Sequence, residues 1–140
     1  VLADGIYTSP AADFAEMLPA SGDVAPGDVL AVNGDGRLVR SSQPFEPAVA
    51  GVYSTRPAYV GGGDHLGEEG YAALAMVGVV PVNACAEGGV IRPGDLLTSS
   101  STPGHAMRAG SDAPQGTVIG KALEGLAAGT GQIRMLVVLQ

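Results

Sequence analysis

Val24-Ala25-Pro26-Gly27-Asp28-Val29-Leu30 returns in this chain as Ile91-Arg92-Pro93-Gly94-Asp95-Leu96-Leu97. Each copy leads through a polar turn region to a glycine inside an apolar run, Val49-Ala50-Gly51-Val52-Tyr53 first and Val118-Ile119-Gly120-Lys121-Ala122 later. A third apolar run closes each half, from Ala73 to Val80 and from Ile133 to Leu139. The order is kept while the spacing drifts, from 67 positions between the Pro-Gly-Asp copies to 69 between Gly51 and Gly120. Conserved order with drifting spacing reads as internal duplication. Two copies are too few for a solenoid, so the expected product is one body with a pseudo-twofold. Its halves fall at about 24–82 and 91–140, behind an N-terminal arm over 1–23.

The composition favours strands. Among 140 residues are 22 Gly and 10 Pro, spaced as short strands and tight turns require, and long helices have nowhere to sit. The expected fold is all-β, a β-clip-like body or a small barrel or sandwich of short strands. There is no Trp and aromatics are 4%, so the core must be built from aliphatic side chains and Met. Such a core gains from partner subunits.

Seven basic against fourteen acidic residues give a net charge of −7, and the basic ones are scattered singly. Nucleic acid is therefore not an expected ligand, because binding needs a basic stripe to displace phosphate counterions. No apolar run approaches the roughly 18 residues needed for a membrane span, so membrane insertion is not expected either. Cys85 is the one cysteine and reads as a small buried hydrophobe.

Several segments carry possible chemistry. The twin turns Pro26-Gly27-Asp28 and Pro93-Gly94-Asp95 are structural, with Pro presetting φ, Gly taking the left-handed position and Asp accepting a backbone N–H. Asn33-Gly34-Asp35-Gly36 is a hairpin turn between strands at 28–32 and 38–40, and lacks the spaced ligands of a calcium loop. Gly61 to Gly70 reads as a mobile acidic loop between the halves. Its Asp64, His65, Glu68 and Glu69 lack a second His or Cys at ligand spacing, so no metal or other cofactor is expected. Ser101 or Thr102 with His105 offers a hydroxyl and a base in proximity, the minimum for nucleophilic chemistry, although Thr102-Pro103-Gly104-His105 is also a good turn.

Ser9 and Pro10 could open a short helix. The favoured alternative is an extended arm lying on a neighbour, with Ile6, Tyr7 and Phe14 as oligomer contacts. The last run, from Gly131 to Leu139, carries apolar residues on both faces and is expected to be buried on both sides.

Taken in order, Ala12 to Glu16, Gly27 to Leu30 with the Gly34 to Leu38 turn, Ala50 to Thr55, Val77 to Val82 and Gly120 to Leu139 form a known series. It resembles the C-terminal domains of phage tail spikes and neck appendages that act as intramolecular chaperones and cleave themselves off (peptidase G2-like), with related bacterial domains that follow repetitive β segments. The resemblance implies a homotrimeric, extracellular or virion assembly domain, partnered by itself and by an upstream fibrous β segment. Asp13-Phe14-Ala15-Glu16 matches the family's Asp-Tyr-Ala-Glu motif near its processing region, which implies Asp13 and Glu16 as catalytic residues. Three functions are thus expected to compete: a non-enzymatic assembly module, a self-cleaving chaperone domain, and a capsid-decoration or filament subunit.

Overall fold

The structure is a computed structural model that describes residues 12–139. The chain forms strands β1 (Ala12–Pro19), β2 (Val29–Val32), β3 (Leu38–Arg40), β4 (Val49–Val52), β5 (Tyr59–Gly61), β6 (Tyr71–Cys85), β7 (Leu96–Ser99), β8 (Ala106–Arg108), β9 (Gly120–Ala122) and β10 (Thr130–Val137). A single 3-10 turn, Gly63–His65, is the only helical element among the described residues. The fold is all-β, with a small barrel of short strands and a second sheet.

The barrel closes because β6 pairs at both ends of one strand circuit. The order β6, β8, β7, β9, β10 returns to β6 through the antiparallel ladder from Thr130↔Cys85 to Leu136↔Val79. The first half traces the same circuit with looser joints. There β1 meets β3 at the bridge Ala20↔Leu38, β3 and β4 flank β2, β4 reaches β6 at Tyr53↔Leu74, and β6 returns to β1.

The two circuits match residue by residue. Leu30 lies opposite Arg40 and Gly51, and Leu97 lies opposite Arg108 and Gly120. The bridge Ala20↔Leu38 corresponds to Ala84↔Ala106, and Tyr53↔Leu74 to Ala122↔Met135. The interiors correspond too. Ala20, Leu30, Leu38, Ala72 and Leu74 form one apolar cluster, and their counterparts Ala84, Leu97, Ala106, Ile133 and Met135 sit together in the larger one. Val29, Val52 and Ala75 of the first half also join that larger cluster, so the halves pack against each other.

This places the repeat boundary inside β6. Residues 71–79 close the first circuit against β1, and residues 79–85 open the second against β10. The handover sits at Gly78, whose φ of 111° suits only glycine. Val79 faces both Ala12 and Leu136.

Three expectations are corrected here. The region expected to be an arm is, over Ala12–Pro19, the first strand of the first circuit, antiparallel to β6 and parallel to β5. It is extended rather than helical because Asp13, Ala15 and Met17 turn inward while Phe14 and Glu16 turn out, the period of a strand. Ile6, Tyr7, Ser9 and Pro10 lie outside the described residues. The last strand is buried on one side only, since Ile133 and Met135 point into the core whereas Arg134 and Leu136 are exposed. The Gly61–Gly70 stretch does not divide the halves: it lies within the first circuit, where His65 stacks on Tyr71 at 4.0 Å and its Nδ1 lies 3.1 Å from Glu68 Oε1.

Candidate functional site

The twin turns are built alike atom for atom. Gly27 and Gly94 both hold φ at 94°. Asp28 Oδ2 accepts the N–H of Ala25 at 2.9 Å, and Asp95 Oδ2 accepts that of Arg92 at 2.9 Å. Each aspartate also pairs with the arginine that ends the following hairpin, Asp28 with Arg40 at 3.0 Å and Asp95 with Arg108 at 3.5 Å. Pro26-Gly27 and Pro93-Gly94 lie in these turns, with Asp28 and Asp95 at their ends. Arg40 and Arg108 were missed, although lining up the two repeats past their turns brings them into register.

Around Asp28 the site is closed. Asn83 Nδ2 donates to its Oδ1 at 3.2 Å, and Gln132 Nε2 donates to Asn83 Oδ1 at 3.3 Å. The turn between β7 and β8 covers it, with Gly104 set so close that a Cβ there would meet Asp28 Oδ1 at 2.5 Å. Gly104 is spliced into the end of the β2–β3 ladder: Val29 N–H donates to Gly104 O, Gly104 N–H donates to Ser41 O, and Ser41 N–H donates to Val29 O. Around Asp95 the site is open, and Asp95, Leu96, Arg108, Gly110 and Ser111 line a cleft.

The expected catalytic residues do not converge. Ser101 Oγ donates to Glu87 Oε1 at 2.9 Å, and His105 Nδ1 lies 2.8 Å from Pro103 O, which requires that nitrogen to carry the proton. The hydroxyl that touches His105 is the buried Ser100, and it donates to the backbone carbonyl rather than to the ring. Asp13 and Glu16 stand on opposite faces of β1, as residues three apart on a strand must.

Asp13 is nevertheless unusual. Burial raises its pKa above the ordinary 3.8, against smaller opposing effects from the Ser54 hydroxyl and its own backbone. Ser54 lies beside the carboxyl without completing a well-formed bond, for Asp13 Oδ2 and Ser54 Oγ both lack a hydrogen-bond partner. Among the described residues no three His, Cys, Asp or Glu side chains gather as a metal site.

No family model matches the chain, and no curated protein matches its sequence.

Proposed function

We propose that this chain is a non-enzymatic structural module that assembles with copies of itself, in the setting of an extracellular or virion appendage. The observation that carries the reading is an apolar row on the outer face of the main sheet. Phe14 pairs across strands with Val77 on one side and Tyr59 on the other, so the three side chains share a face. Val77 is 64% exposed, and Phe14, Met76 and Leu136 are exposed as well. A contiguous apolar face of this kind is what subunit association covers. The resemblance of the sequence to appendage domains supports the setting and a threefold assembly.

Light scattering of the full chain across a concentration series tests the reading. A stable oligomer is expected, and Val77→Asp should lower its mass without altering the far-ultraviolet circular dichroism. Mass that grows without limit would favour the capsid-decoration or filament reading, and a monomer at every concentration would overturn assembly altogether.

Self-cleavage is the second reading, and Asp13 is the observation that favours it. A buried carboxyl with a raised pKa can hold a proton to donate. Glu16, on the other face, would take no part. Intact mass of a longer precursor, with and without Asp13→Asn, decides it: an uncut precursor in both ends the idea.

A further inference from the structure

The two halves differ at one matched place. In the first, the end of the β2–β3 ladder is completed by Gly104, whose N–H and C=O bridge Ser41 and Val29. In the second, Ala109 N–H donates to Leu96 O at 2.8 Å in the position of the Ser41–Val29 bond, and among the described residues no turn is inserted beside it. The space stays open as two adjoining cavities of about 230 and 460 Å³ that share Leu96 and Ser111. Val29 is fully buried, whereas its counterpart Leu96 is not.

The repeat also identifies the missing piece. Counting back from the paired arginines, Gly104 corresponds to Gly36, and the two glycines hold φ at 72° and 78°. Gly104 is pressed onto the first half, yet a Cβ on Gly36 would meet nothing within 4 Å. Among the described residues one turn is seated and its twin is free, while one receptor is filled and its twin is empty. We infer that the cleft beside Leu96 and Arg108 receives the Asn33–Gly36 turn of a second copy of this chain.

The chemistry of the two surfaces agrees. The turn carries Asp35 and is followed by Arg37, both exposed, and the cleft carries the Arg108–Asp95 pair, so a docked turn would offer each of these two a second partner of opposite charge. Val32, exposed beside the turn at 42%, matches the apolar wall that Leu96 and Val118 give the cleft. Each copy contributes one turn and one cleft from different surfaces, which makes the contact head-to-tail and lets it close as a ring. The inference rests on the homo-oligomeric reading and names one of its contacts.

Disulfide trapping separates the two. Asp35→Cys is made in one preparation of the full chain and Ser111→Cys in another; Cys85 is buried and stays inert. Mixed and oxidised, the two are expected to give a reducible covalent dimer that neither preparation gives alone. Ser111→Trp, which fills the cleft from its rim, should raise the concentration needed for self-association at least tenfold. A native oligomer with no mixed dimer and no response to Ser111→Trp overturns this contact and leaves assembly standing. A monomeric native chain overturns both.

Discussion

Arg40 Nε and Asp28 Oδ2 meet at 3.0 Å beneath Gly104, a residue from the other half of the chain. The Asp28 side chain is 7% exposed and also accepts from Ala25 and Asn83, so its charge is spent inside the protein rather than on solvent. Its counterpart Asp95 is 26% exposed and holds Arg108 at 3.5 Å.

Removing the charge should therefore cost unequally. Asp28→Asn leaves Arg40 and the Ala25 N–H with a weaker acceptor beneath Gly104, and is expected to destabilise the fold by about 2–3 kcal/mol. Asp95→Asn, in the open cleft, should cost less than about 1 kcal/mol. Urea unfolding of the two variants checks the order, and equal losses would refute it.

Gly104 and Gly36 offer a second contrast. Both need glycine for backbone conformation, but only Gly104 has Asp28 and the Arg40 side chain within reach of an added methyl. Gly104→Ala is expected to cost about 3 kcal/mol, and Gly36→Ala about 1 kcal/mol. The difference is read from midpoints of chemical denaturation under conditions where the chain is monomeric.

Leu30 and Leu97 are fully buried in matched circuits. Truncating either to Ala should cost about 3 kcal/mol, the usual result of leaving a leucine-sized void. If one circuit were much softer than the other, its leucine would cost far less, and thermal unfolding of the pair would show it.

Asp13 sets a pH dependence of unusual sign. Its folded pKa lies above 3.8, so the folded chain holds the proton more tightly than the unfolded one. Its contribution to stability is fully present below 3.8, falls as pH rises from there through the folded pKa, and levels off above it. Asp13→Asn has no proton to lose. The stability of the variant relative to the native chain should therefore rise across that window and stay flat beyond it, as followed by urea titrations at a series of pH values. A difference independent of pH would contradict the burial of the charge.

Much of this was legible in the sequence. The Pro-Gly-Asp copies, their matched glycines and the Asn33–Gly36 turn are local signals, fixed by φ angles and by side chains that bond their own backbone. The apolar runs Ala73–Val80 and Ile133–Leu139 were visible as strands. What escaped is non-local. Nothing in the run from Tyr71 to Cys85 says that it serves two circuits, because a strand's partners are chosen by the whole sheet. Asp13-Phe14-Ala15-Glu16 alternates correctly for a strand, but four residues cannot say whether the neighbour is the same chain or another. Ser101 and His105 looked like partners because they are near in sequence, and the turn between them sends each side chain elsewhere.

The sharing of β6 makes the duplicated molecule indivisible. A tandem repeat with separate strands could be cut between its copies into two smaller proteins, each with a complete boundary. Here the closing strand of one circuit runs unbroken into the opening strand of the other, Val79 is paired in both, and Val29, Val52 and Ala75 of the first half lie in the second half's core. A cut at the handover would bare apolar surface on each side, so the halves are expected to fold and unfold together. The duplication multiplied the pattern in the chain without multiplying the number of cooperative units.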